Sequence, residues 1–410
     1  MSQEGILMKK RKKIISSFII LALFCSVMLP LSAGGDVDVP TWNEGDSWAM
    51  QHESSIDTLF APGLQEIEDD LIEEILDEEE FEMEDFDMDI SGDFKITVIQ
   101  EVSEVGEENY VLDIEITVEA SSSLSFEVTM DMPEEGEEPE EVELRTITMS
   151  GSVSFQMEIT GETVLTKSDL AMVSAQYDQD MIVTGNIQVN NVPDLEKMDE
   201  DIIEYTDYNI GIEVTMETEL DMSYDPPLDM FNFPIEEGSW GVSSTVTTTG
   251  KSTRTMDLTG LPANLREEME EDMGEELPIT EVEEIDEQED IDQEVICTGT
   301  ETLVLPNGET VEVYVLELET TGGSNQEDPQ FVMFYSPEHG NIIEATVCFA
   351  NTEMEEFMTS DEIRLQSVDV SDLEDDDDDD EDMIPFVSTA IVLIAVIAAV
   401  MISTVLKESE

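Results

Sequence analysis

Ile210-Gly211-Ile212-Glu213-Val214-Thr215-Met216-Glu217-Thr218-Glu219-Leu220-Asp221-Met222-Ser223-Tyr224 sets an apolar side chain at nearly every second position, with polar or acidic residues between. Successive side chains of a strand point to opposite faces, so this run reads as a strand with one face on a core and the other in water. The alternation recurs in Leu112, Ile114, Ile116 and Val118, in Leu124, Phe126, Val128 and Met130, and in Val153, Phe155, Met157 and Ile159. One wet face and one dry face is the pattern of antiparallel sheets, because buried parallel strands read as unbroken apolar runs. Gly106-Glu107-Glu108 and Gly151 stand where hairpin turns are expected, and the Glu-rich stretch Pro133 to Glu141 reads as a loop.

Beyond this region the chain yields a second set of strands. Residues 295–305 and 309–319 flank Pro306-Asn307-Gly308, and Asn-Gly between alternating runs is the strongest short hairpin signal. With 330–335, 342–349 and 362–368 they predict a meander of about five strands. Two helices are expected beside the strands. Leu64, Ile67, Leu71, Ile72, Ile75 and Leu76 form one apolar helical stripe with carboxylates around it, and Leu265, Met269 and Met273 recur every four residues. The turn before Trp48, from Gly45, is echoed by Gly238-Ser239-Trp240, which suggests a duplicated unit.

The two ends of the chain give an address. Lys9, Lys10, Arg11, Lys12 and Lys13 precede an apolar run from Ile14 to Leu31 that exits through Ser32-Ala33. This reads as an export signal over 1–33, with an uncleaved anchor as the alternative. At the other end, an acidic stalk over 371–383 is followed by Ile384 to Leu406, uninterrupted by charge. As a helix those residues reach about 35 Å, against a hydrocarbon core of about 30 Å. A four-residue cytoplasmic tail, 407–410, would follow. The expected architecture is mainly β (α+β): two curved antiparallel sheets, each with an acidic amphipathic helix, plus one C-terminal transmembrane helix. The expected division is a first β-rich extracellular domain over 36–225 and a second over 226–370.

Charge narrows the function more than any motif does. The 410 residues carry 103 Asp and Glu against 14 Lys and Arg, a formal net charge of −89, and five of those basic residues sit in the N-terminal cluster. Phosphate backbones are repelled by such a surface, which excludes nucleic-acid binding. At 40% apolar residues in patterned runs, the chain is not a disordered polyanion.

Phe334-Tyr335-Ser336-Pro337-Glu338-His339-Gly340-Asn341-Ile342-Ile343, preceded by Thr300 to Gly308, resembles the closing strands of archaeal-type secreted, C-terminally anchored surface proteins with lipoprotein-carrier-like half-barrel domains. The resemblance covers about 50 residues. It implies an open hydrophobic concavity for an acyl chain or peptide and brings no catalytic residues.

Chemistry is sparse. Only His52 and His339 are present, no second histidine completes H-E-x-x-H after His52-Glu53, and no nucleophile elbow, P-loop or dinucleotide fingerprint occurs. Asp85, Asp87, Asp89 and Asp93 form the best cation candidate, since oxygen ligands at alternate positions suit Ca²⁺. They depart from an EF-hand at Ile90 and Ile96. Of three cysteines, Cys25 lies in the export signal, leaving Cys297 and Cys348 as an expected disulfide in an oxidising compartment. On a flat meander they stand three strands or about 14 Å apart, beyond the 7 Å or so that a bridge spans, so the pairing requires the sheet to curl. Ala395, Ala399 and Ser403 offer a small-residue face for weak helix-mediated pairing within the bilayer. The functional expectation is a non-enzymatic binding or structural module without a cofactor. The alternatives are a carrier for an apolar ligand, suggested by 24 methionines with Met157, Met216 and Met222 inward, and a hydrolase using acidic residues.

Overall fold

The computed structural model describes residues 39–55, 83–131, 144–193, 205–261, 266, 277–305, 308, 310–320, 330–339, 341–348 and 362–368. Its elements are twelve strands: β1 Ser47–Ser55, β2 Met83–Val105, β3 Asn109–Asp131, β4 Leu144–Thr166, β5 Met172–Pro193, β6 Tyr205–Leu228, β7 Gly238–Thr259, β8 Ile279–Val304, β9 Thr310–Thr320, β10 Gln330–Ser336, β11 Asn341–Cys348 and β12 Glu362–Val368. Each pairs antiparallel with its sequence neighbours, and β12 returns to β1 to close a barrel. The seam joins Ala49 to Val368, Met50 to Ser367 and Gln51 to Gln366.

The strands are of two lengths. β2 to β8 run 22 to 26 residues, about 75 Å at 3.3 Å per residue. The other five have 7 to 11 residues. β1 meets β2 only from Glu101 to Asp93, and β9 meets β8 only from Val304 to Gln293. The molecule therefore has a near end, where all twelve strands close the wall, and a distal end reached only by β2 to β8. β1 begins and β12 finishes at the near end. Hairpins there are short: Gly106 N–H donates to Asn109 C=O at 2.9 Å and Gly308 N–H to Leu305 C=O at 2.8 Å.

Alternation decides the core. Leu112, Ile114, Ile116, Phe155, Met157, Tyr177, Ile210, Met222 and Val295 are all buried and belong to one contiguous apolar cluster. Their intervening acids face water, as the period-2 reading requires. A smaller cluster of Val311, Val313 and Ile343 buries the other face of β9 and β11.

These observations correct the expected fold. There are not two curved sheets but one closed barrel, because β6 runs through the expected boundary at 225/226 and pairs with β7 from Asp225 to Gly211. The two Gly-to-Trp openings begin β1 and β7, six strands apart on that single wall. The lipoprotein-carrier half-barrel is likewise replaced, since the β1–β12 seam shuts the concavity. Gly151 is not a turn but sits within β4, between Leu124 and Ile187, where an added Cβ would stand 2.9 Å from the Asn186 carbonyl oxygen. The last five strands follow one another in the order read, but the first of them begins at Ile279 rather than at 295, and Gly308 lies in the connection from β8 to β9. No helix among the described residues is long and apolar enough to cross a membrane. The expected amphipathic helices at 64–76 and 265–273, Arg266 aside, and the expected transmembrane helix at 384–406 lie outside the described residues.

Candidate functional site

Aromatic side chains gather at the near end. Between β6 and β7 the chain turns inward, burying Met230, Phe231 and Ile235. Phe231 stacks on Phe233 with ring centres 5.7 Å apart, and both meet Tyr335 at 6.2 and 6.3 Å. Tyr314 lies 6.5 Å from Tyr335. Around the rim, Trp42 packs on Tyr110 at 4.6 Å and its backbone N–H donates to the Tyr110 hydroxyl at 3.2 Å. The Lys167 ammonium covers the outer face of Tyr110 at 4.9 Å and donates to the Gly106 carbonyl. Rings at these offsets add directional attraction to their buried area, and the cation gains from the ring face.

Some polar groups inside the wall are satisfied by one another, while the buried Trp42 and Trp240 indole N–H groups have no hydrogen-bond acceptor. The Thr163 and Tyr177 hydroxyls are 3.0 Å apart, Gln179 donates to the Met157 sulfur and Tyr224 to the Met222 sulfur, each at 3.6 Å. Burial raises the pKa of Tyr224 and of Tyr335, since a phenolate there would lose its water. Met157 and Met222 are thus core-filling side chains that also accept weak hydrogen bonds.

Among the described residues, Asp229 is the most perturbed carboxyl. At the hinge of the inward turn, its pKa is pushed up to about 6 by burial and then by the nearby Asp169, partly offset by the Phe231 N–H that donates to it at 3.2 Å. Two carboxylates on adjoining near-end turns share one region, and the fold tolerates their repulsion.

Both histidines are structural in this setting. His52 Nδ1–H donates to the Arg364 carbonyl across the seam at 2.9 Å and the ring meets Phe94 edge-on at 5.8 Å. Burial lowers its pKa, opposed by that carbonyl and by Glu53. His339 N–H donates to Ser336 Oγ at 3.2 Å and closes the β10–β11 turn.

The residues singled out in the sequence are spread apart. Asp85, Asp87, Asp89 and Asp93 fall on β2, opposite Thr129, Glu127, Ser125 and Ser121 of β3. Alternate positions of an extended strand are about 6.6 Å apart, so the backbone positions of the four span about 26 Å. Among the described residues no group of three His, Cys, Asp or Glu gathers in a way that could hold a metal ion. Cys297 is a free, buried thiol, its pKa raised by burial and by Glu237 against the Gly299 N–H. The register Cys297–Leu316–Met333–Ala345 ends three residues short of Cys348. The strands carrying the two cysteines are thus offset along the wall as well as three apart, and the structure does not bring them together. No protein-family model matches the chain, and no curated protein or solved structure matches it.

Two features escaped the sequence reading. Asp229 gave no signal, because nothing in Leu228-Asp229-Met230 distinguishes it from a hundred other carboxylates. The other is the distal part of β8, Ile279 to Asp292, where Glu and Asp occupy both faces and remove the alternation that marks a strand.

Proposed function

We propose that this chain is an exported, membrane-attached, acidic surface protein whose barrel serves as a non-enzymatic binding or structural module. The observation that carries the reading is the polarity of the barrel. Since Ala49 pairs with Val368, chain entering from the export signal and chain leaving toward 384–406 both meet the barrel at its near end. Attachment to a bilayer through 384–406 then turns the distal side, with its long acidic connections, away from the lipid. A wall whose strands bury one contiguous cluster is a rigid support of the kind on which binding loops are displayed.

The carrier alternative draws on inward methionines, but Met157 and Met222 are engaged by Gln179 and Tyr224 within the core. This favours the presenting role over an interior ligand.

Intact cells expressing the full chain provide the test. Protease added outside should cut the acidic connections, and the remaining fragment should sediment with membranes until detergent releases it. A chain found freely dissolved inside the cell, untouched by external protease, would refute the proposal.

A further inference from the structure

From Ile279 to Asp292, β8 has β7 on one flank and, among the described residues, no strand on the other, because β9 stops at Gln293. Residues Thr280 to Glu284 are all exposed, Val282 at 59%. Successive side chains face opposite sides, so both faces here are wet. The backbone along such an edge offers a row of N–H and C=O groups to an incoming strand.

Charge then selects the strand. Between Glu281 and Asp292 the chain carries eight carboxylates and no basic residue. Across the ladder only Lys251 and Arg254 of β7 stand in register, opposite Glu284 and Glu281. A second copy brought edge to edge would set carboxylate against carboxylate, which like-charge cross-strand pairing penalises. A strand of opposite sign reverses every one of those pairs. The β-branched Val282, Ile285 and Ile291 suit an extended ladder, and the edge has no proline between Ile279 and Asp292.

We propose that the distal edge of β8, Val282 to Ile291, is a strand-addition site for an extended, lysine- or arginine-rich segment of another protein. This deepens the reading of the barrel as a binding module and rests on it. Backbone hydrogen bonds would supply affinity, and alternating basic side chains would supply specificity against the acids on either face.

The test uses the full chain in detergent micelles and a labelled twelve-residue probe of repeating Lys-Thr-Lys-Val. A twin probe, N-methylated at alternate residues, keeps the charge and loses the ladder. The expected result is saturable binding of the probe, about ten-fold weaker for the twin. The variant Glu283→Gln/Glu287→Gln/Glu289→Gln should weaken it on the order of ten-fold, with amide-exchange protection confined to residues 282–292. Equal binding of both probes would reduce the effect to charge alone and overturn the proposal. Absence of binding, protection elsewhere, or a concentration-dependent dimer that the triple variant changes would also overturn it. Membrane fractionation does not involve the probe, so the localisation reading fails or stands separately.

Discussion

The near and distal halves of the long strands are built from the same seven chains of residues, yet they solve opposite problems. At the near end β1 and β9 to β12 complete the wall, the β2–β3 turn is short, and Phe231, Phe233 and Tyr335 pack together while Trp42 packs on Tyr110. Past Asp93 and Gln293 the wall loses those five strands, and β8 runs on with most side chains exposed and only Ile279, Ile285 and Ile291 half-buried. β4 to β7 keep an apolar inner face there, with Ile187 and Ile210 fully buried. The difference shows what the acids do. In the near half they alternate with core residues and solvate the outside, whereas along distal β8 they stand on both faces among the half-buried Ile279, Ile285 and Ile291, and such charges on an edge disfavour its pairing with another copy.

The largest expected effect tests the buried inner face. Phe155 is 1% exposed within β4, and Phe155→Ala should lower unfolding free energy by about 3–5 kcal/mol in chemical denaturation. A change under 1 kcal/mol would mean that the inward apolar face of the long strands is not the stabilising core.

A smaller effect probes the near-end turns. The folded pKa of Asp229, about 6, lies above its usual 3.8, so the fold prefers the protonated carboxyl. Its destabilising influence begins as pH rises above the unfolded value and is complete above about 6. Asp229→Asn should therefore raise stability at pH 7.5 by on the order of 1 kcal/mol, a figure already discounted for the solvent that screens this half-exposed group. At pH 4 the gain should vanish. Equal stabilisation at both pH values would show that Asp229 does not carry the repulsion.

The smallest effect sharpens the contrast from the other side. Val282→Thr, on the exposed edge, should change stability by less than about 0.5 kcal/mol. A loss comparable to that of Phe155→Ala would reveal a buried role for the edge and erase the distinction between the halves.

How much of this was legible in the sequence follows the same division. Where one face is dry, as in Ile210 to Tyr224 or Val153 to Ile159, period 2 exposes the strand directly, and Asn307-Gly308 fixes the β8–β9 hairpin. Where acids stand on both faces, as in Glu281 to Asp292, the alternation is erased and the strand is hidden. Asp85, Asp87, Asp89 and Asp93 read as a cation candidate because oxygen ligands at alternate positions suit Ca²⁺, and the same spacing occurs along the strand β2. Closure was hidden for another reason. Alternation tells which way a side chain points but not which strand lies beside it, and the seam joins Gln51 to Gln366 across the length of the chain. Local pattern therefore supplied two open sheets, and only the non-local pairing made them one wall.

That seam is the central claim. Replacing Gln51 and Gln366 by cysteine in the full chain places two thiols on paired backbone positions, within the roughly 7 Å that a disulfide spans. After mild oxidation, peptide mapping of the non-reduced protein should recover residues 51 and 366 in one linked fragment. Recovery of both as separately alkylated peptides would mean that β1 and β12 do not meet and that the barrel is open.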